Sequence, residues 1–195
     1  MRPVMRPAIA ALAALLLVGV SAPTAHAVDP VVDAYDYQQD VKIYPRPGPG
    51  DVQRKTIDLY RLTVTQLTGK VRFTVRLKKV LPESYKYDQM VFIDLTPAPS
   101  SDQTWSANYG FSPQQPTLGY ANLFLDESGE SYKVCDPVVT VANTAKRKVY
   151  VDVPNKCVPT TPAKIKLNSY LGIFRSDAPT YSRDFMKVNG AHDLR

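Results

Sequence analysis

The segment from Cys135 to Cys157 constrains the fold more than any other stretch, because it contains both cysteines and a repeated valine pattern. Valines occupy alternate positions on either side of its polar centre: Val139 and Val141, then Val149, Val151 and Val153. This period of two is typical of half-buried β-strands. A hairpin that sets Val141 opposite Val151 and Val139 opposite Val153 also sets Cys135 opposite Cys157. Facing residues of an antiparallel pair lie roughly 4.5 Å apart at Cα, which a disulfide can span. The sequence therefore predicts a hairpin closed by a disulfide in an all-β domain.

The first 27 residues have the three parts of a secretory signal peptide. Arg2 and Arg6 precede an apolar run at residues 8–20, and residues 25–27 have the A-x-A form of a cleavage site. The run is shorter than the roughly 20 residues that span a bilayer, and no later segment is long enough. We therefore expect a signal-peptide helix, cleavage before Val28, and a secreted protein with no membrane span. A single pair of cysteines fits an oxidising compartment.

Residues 28–195 are enough for one domain with a sizeable core. Loss of Arg2 and Arg6 lowers the formal net charge from +6 to +4. This mild excess suits weak attraction to anionic polymers and does not predict nucleic-acid binding. We expect an irregular lead-in at residues 28–55, a loose tail at residues 176–195, and a monomer.

About eight short strands are predicted between these ends, and prolines occur in many of the connections. Besides the hairpin arms, they lie at residues 56–66, 71–77, 90–95, 105–111, 120–125 and 164–174, and residues 132–135 lead into the hairpin. No amphipathic helix is evident after the signal peptide. The pattern predicts an antiparallel β-sandwich, with a closed barrel as the alternative.

Residues with the usual catalytic chemistry are scarce. His192 is the one histidine left after cleavage, and it lies three residues from the C-terminus, which disfavours a histidine-based triad or zinc site. No glycine-rich nucleotide loop or nucleophile elbow occurs. We therefore expect that the protein is not an enzyme and needs no cofactor. The alternative is a glycoside hydrolase that uses two carboxylates near strand ends, from the set Glu83, Asp88, Asp94, Glu127 and Glu130.

Aspartates are frequent in the first part of the mature chain. They supply the hard oxygen ligands that calcium accepts, although their spacing matches no EF-hand loop. The alternative is that they cap turns or remain in water. The hypothesis is a structural calcium site with ligands among Asp36, Asp40, Asp51 and Asp58, with Asp33 nearby.

A proline-framed segment contains the candidate binding residues Trp105, Tyr109 and Phe111, which would share one strand face. Aromatic rings in such a segment can stack on sugars or contact a protein, or they can belong to the core. The basic residues 146–148 at the hairpin tip, with Arg72, Arg76 and Lys78 on one strand face, could meet phosphate-rich polymers. We favour the alternative that they protect the hairpin from edge pairing.

Several segments together resemble a group of uncharacterised exported actinobacterial β-sandwich proteins with one cysteine pair. They are residues 40–41, 56–59, 71–77, 91–95 and 149–157. The resemblance implies no activity for any residue. The strand layout is also similar to the two-sheet sandwiches of extracellular carbohydrate-binding modules.

These features predict a secreted, non-catalytic binding or structural domain. Its expected partner is an extracellular or cell-wall polysaccharide, bound through the aromatic segment, or another protein. The alternatives are the carboxylate-dependent glycoside hydrolase and a protein-interaction domain.

Overall fold

The structure is a computed structural model that describes residues 29–83, 86–99, 102–125, 132–135, 138–173 and 180–195. The predicted signal peptide, Glu127 and Glu130 lie outside these residues. Within the described ranges, no helix has the length and apolar character needed to cross a membrane.

Twelve strands make up most of the described chain. They are β1 Val32–Tyr35, β2 Lys42–Ile43, β3 Leu59–Leu67, β4 Lys70–Leu77, β5 Asp88–Pro97, β6 Ser106–Ser112, β7 Gln115–Phe124, β8 Tyr132–Val134, β9 Val139–Asn143, β10 Lys148–Pro154, β11 Ala163–Gly172 and β12 Ser182–Lys187. One short helix, α1 (Asp51–Arg54), runs into a 3-10 turn at Lys55–Ile57, and a second 3-10 turn covers Asn155–Cys157.

The strands form two sheets in which every pair is antiparallel. The five-stranded sheet has the order β1-β3-β4-β10-β9, and the seven-stranded sheet has the order β2-β12-β11-β5-β6-β7-β8. This architecture confirms the predicted antiparallel sandwich. The predicted count of about eight strands is too low, because β1 and β2 lie in the segment expected to be irregular, β8 in the lead into the hairpin and β12 in the expected loose tail.

The core lies between the sheets because each strand turns alternate apolar residues inward. In β4, Val71, Phe73, Val75 and Leu77 are fully buried, whereas the residues between them are partly exposed. The Phe73 ring packs against that of Tyr109 from the other sheet, with centroids 5.5 Å apart. Full burial of one such apolar side chain stabilises a fold by about 1.5–3 kcal/mol.

The β9–β10 hairpin exists, but its predicted register is wrong by one residue. Val141 faces Tyr150 and Thr140 faces Val151. Thr140 is therefore buried, while Val139 and Val141 are 48% and 53% exposed. A slip of one residue exchanges the two faces of a strand, and at the sheet edge β9 can expose its valines. The central strand β10 keeps its own valines inside.

The predicted disulfide between Cys135 and Cys157 is confirmed, with the Cα atoms 5.8 Å apart. Cys135 extends the β7–β8 pairing, because its amide donates to the Ala121 carbonyl at 2.9 Å. Cys157 lies in the 3-10 turn that follows β10. The bond therefore links the seven-stranded sheet to the five-stranded sheet, in addition to joining the ends of the segment that contains the hairpin.

Candidate functional site

The outer face of the seven-stranded sheet carries three aromatic residues in a line that crosses five adjacent strands. Strand pairing places five residues side by side, here called the aromatic row: Phe185, Asn168, Phe92, Gly110 and Tyr120. Neighbouring strands are about 4.8 Å apart, so the row is roughly 19 Å long. Phe185 and Tyr120, at its two ends, are 47% and 37% exposed. The row is therefore a long surface with an accessible ring at each end.

The Tyr120 ring has a fixed position at one end of the row. It lies over Gly110, where an added Cβ atom would be 2.5 Å from Tyr120 Cε1. The hydroxyl group of Tyr120 donates to Asn108 Oδ1 at 2.8 Å. Burial, helped by the nearby Asp94 carboxylate, raises the pKa of the Tyr120 hydroxyl. The hydroxyl is therefore a neutral donor and acceptor at physiological pH.

The centre of the row is supported from the neighbouring strand. The ring of Phe92 meets the ring of Tyr170 edge-on, with centroids 5.7 Å apart. Such a contact adds about 0.5–1.5 kcal/mol beyond area burial. Phe92 is thus held in place by a second aromatic residue on the same face.

A second line, here called the polar row, runs beside the aromatic row one side-chain step along the strands, or about 7 Å away. Its members also face one another directly: Lys187, Lys166, Asp94, Asn108 and Asn122. Asp94 accepts hydrogen bonds from the Nδ2 atoms of Asn108 and Asn168, the latter at 2.9 Å. These bonds fix which way both amides point. Donors and acceptors with set orientations therefore lie next to the aromatic rings.

The polar row borders a groove of about 470 Å³. Its lining includes Lys164, Lys166 and Lys187, and Asp94 is the one acid among the described lining residues. Asp88 shares strand β5 with Asp94 but lies six residues, or about 20 Å, away. This is far beyond the roughly 5–9.5 Å that separates the carboxyl groups of glycosidases. These two acids therefore cannot form the catalytic pair of the predicted hydrolase alternative.

The three aromatic residues predicted to bind a partner lie in the core. Tyr109 and Phe111 are fully buried, and Trp105 is 9% exposed. Tyr109 donates its hydroxyl hydrogen to the Cys157 carbonyl at 2.7 Å, and Trp105 Nε1 contacts Gln103 Oε1 at 2.9 Å. The expectation of an exposed recognition face is therefore wrong for these residues. They do share one strand face, as predicted, but it is the inner face.

Part of the predicted aspartate set does come together, with one member that the sequence did not suggest. Carboxylate oxygens of Asp36, Asp40 and Asp184 lie within 4.8 Å of one another; these three residues are here called the aspartate cluster. Burial and neighbouring acids raise the pKa of Asp36 to about 6 and that of Asp184 to about 7. The charge of Asp58 also contributes to the raised pKa of Asp36. Asp51 lies in α1 and does not belong to the cluster.

The hydrogen bonds of the cluster use some of its carboxylate oxygens and leave others without a partner among the described residues. Asp184 accepts from the amides of Leu59 at 2.7 Å and Phe185 at 2.9 Å. Asp36 accepts from the Tyr37 amide through Oδ1, while its buried Oδ2 has no hydrogen-bond partner among the described residues. Several carboxylate oxygens at this spacing suit a calcium ion. The calcium hypothesis stays a prediction: of its four proposed ligands, Asp36 and Asp40 belong to the cluster, and Asp184 joins them.

Comparison with protein-family models, curated proteins and solved structures finds no match to this chain. The class of the protein is therefore defined by its own fold: an antiparallel two-sheet β protein with one disulfide that links the sheets. The resemblance to exported actinobacterial proteins stays a prediction.

Proposed function

We propose that this protein is a secreted, non-catalytic glycan-binding domain. Its binding surface is the outer face of the seven-stranded sheet, in place of the segment around Trp105. The observation that carries the proposal is the aromatic row beside the polar row, in which rings and oriented amides lie about 7 Å apart over five strands.

A sugar ring has an apolar face of C–H groups and a rim of hydroxyl groups. The exposed rings of Phe185 and Tyr120 offer flat apolar surface for the first. The amides of Asn108 and Asn168, oriented by Asp94, offer hydrogen-bonding groups for the second. These side chains stand on paired strands, so binding would require little ordering of the protein. A long, open row suits a polysaccharide chain better than a single small sugar.

The proposed secretion is supported by two features. A disulfide persists in oxidising compartments, and the N-terminal sequence has the parts of a signal peptide. That the domain has no catalytic activity stays a prediction. The alternative of a protein partner also stays a prediction.

The test is retention of the mature protein, residues 28–195, on a panel of polysaccharides that includes cellulose, chitin and peptidoglycan. Replacement of both Tyr120 and Phe185 by Ala should weaken binding at least about tenfold, because two stacking contacts are lost. The matched control replaces Tyr35 and Tyr150 by Ala, since both stand on the other sheet. It should bind like the wild type.

Melting temperatures separate a binding defect from unfolding. Tyr120 and Phe185 are both more than a third exposed, and loss of the hydrogen bond from Tyr120 to Asn108 should cost about 1 kcal/mol, so the variant should melt a few degrees lower but remain folded. The proposal fails if the wild type is retained by none of the polysaccharides, or if the control loses binding to the same extent.

A further inference from the structure

We propose that the outer face of the five-stranded sheet binds a polymer that carries phosphate or sulfate esters. The site consists of Arg76 and Lys148, which face each other on neighbouring strands, together with the hairpin tip at residues 146–147. It lies on the other sheet from the proposed glycan surface and does not depend on it.

The two acids that the described strands place on this face already have partners. Asp33 forms a two-point salt bridge with Arg61, with N–O distances of 2.5 and 2.6 Å. Asp152 accepts from Arg72 and Lys70. The Arg61 bond lowers the pKa of Asp33, and although burial acts in the opposite direction, the bonds from Arg72 and Lys70 lower the pKa of Asp152. Both carboxylates are therefore charged and neutralised locally.

Arg76 and Lys148, in contrast, lie in a row of cations. Arg76 faces Arg61 on one side and Lys148 on the other, over a span of roughly 10 Å. Neither Arg76 nor Lys148 forms a salt bridge with any residue in the described ranges. Like charges placed directly opposite each other destabilise a sheet. A bound anion would remove this repulsion.

The geometry of Arg76 also points to a missing acceptor. Its Nε atom is buried and has no hydrogen-bond partner among the described residues. A buried donor without a partner costs about 1–3 kcal/mol, and more when it is charged. The Arg76 side chain therefore carries a charge and a donor that no residue in the described ranges satisfies.

The hairpin tip brings two further cations to the same end of the face. Asn143 Oδ1 accepts from the Lys146 amide at 2.8 Å, and the Arg147 carbonyl accepts from the Leu77 amide at 3.0 Å. The turn is thereby fixed beside the end of β4. A phosphate or sulfate ester group presents several oxygens and can contact cations on two strands at once. A guanidinium can donate two hydrogen bonds to two of these oxygens. We therefore assign phosphate or sulfate esters on a repeating chain as the ligand chemistry.

The experiment measures binding of the mature protein to two probes, the phosphodiester polymer poly(glycerol phosphate) and the sulfated polymer heparin, at about 0.15 M salt. Replacement of both Arg76 and Lys148 by Gln should weaken binding at least about tenfold, because charge-assisted hydrogen bonds are lost. The control replaces Lys42 and Lys133 by Gln, which removes the same charge from the two edge strands of the other sheet, outside the aromatic and polar rows. This control should keep most of the affinity.

Binding of either probe that depends on Arg76 and Lys148 supports the proposal, and the preferred probe identifies the ester. The proposal is overturned if neither probe binds at this salt concentration, or if both double variants lose affinity equally, since that would reflect net charge alone. Failure here would leave the polysaccharide result untouched, because that assay reads Tyr120 and Phe185.

Discussion

The ring of Tyr120 occupies the space that a side chain at Gly110 would need, with Cε1 only 2.5 Å from the position of an added Cβ atom. Gly110 and Tyr120 face each other on β6 and β7. The glycine therefore lets the tyrosine lie flat against the sheet, where its hydroxyl can reach Asn108. One backbone position thus sets the geometry of one end of the aromatic row.

Replacement of Gly110 by Ala should displace the Tyr120 ring. We expect a loss of roughly 1–3 kcal/mol in the free energy of unfolding, since the added methyl group overpacks a filled site, and weaker polysaccharide binding. Thermal unfolding and affinity electrophoresis measure the two effects. Gly172→Ala is the matched control, because its new Cβ would meet the Thr180 Cα at an ordinary 3.9 Å. Equal losses in both variants would contradict the assigned role of Tyr120.

The disulfide should contribute on the order of 3 kcal/mol to stability, because it closes a loop of 22 residues. Non-reducing peptide mapping should show Cys135 linked to Cys157, and replacement of both by Ser should lower the melting temperature by several degrees. The hydroxyl of Tyr109 donates to the Cys157 carbonyl. Tyr109→Phe alone should therefore lower the free energy of unfolding by about 1 kcal/mol. Two free thiols in the mature protein would be incompatible with this bond.

Sequence patterns predicted the elements of this fold better than their relations. Alternation identified β4 and the two arms of the hairpin, since each depends on a local period of two. Alternation does not say which face of a strand is inside, and for this reason the exposed valines of β9 and the buried ring of Tyr109 were both misassigned. The positions of Asn108 and Gly110 contained a signal that was missed. Both alternate with core aromatic residues along the strand, so they must lie on its outer face.

The candidate surfaces could not be predicted from local sequence, because they depend on strand order. Phe185 reaches the aromatic row only because β12 pairs with β11, and β11 pairs with β5. Likewise Asp184 lies 125 residues from Leu59 and accepts a hydrogen bond from its amide. No short-range motif connects such positions. The cysteine pair was predictable because two cysteines allow a single connectivity.

Stability should rise as the pH falls from about 7 to about 4. In the folded state the pKa of Asp184 is about 7 and that of Asp36 about 6, both above the ordinary value of 3.8. The folded state therefore binds more protons than the unfolded state in this window, which makes the free energy of unfolding increase with acidity. The charged groups near these carboxyls are Asp40 and Asp58, the latter with Lys78 at 3.8 Å.

Thermal unfolding between pH 8 and pH 4 measures this effect, and the expected gain is at least about 1 kcal/mol. Replacement of Asp36 by Asn should raise stability at pH 8 and flatten the profile, because the amide replaces a buried oxygen that has no hydrogen-bond partner among the described residues. Asp51→Asn removes the same charge outside the cluster and should leave the profile unchanged. A melting temperature that falls steadily with acidity over this range would contradict the assignment.

Calcium should reverse this behaviour if the aspartate cluster binds it. The ion favours the charged carboxylates of Asp36, Asp40 and Asp184, so added calcium should raise the melting temperature at pH 7 to 8 and remove the gain in stability on acidification. Asp36→Asn should abolish the calcium effect, since it removes a charged ligand, while Asp51→Asn should retain it. Magnesium at the same concentration is the control ion, because it prefers a tighter octahedral shell with several waters. If the wild-type melting curve is the same with calcium and with a chelator, the cluster is not a calcium site, and the pH profile then reports the repulsion among buried aspartates alone.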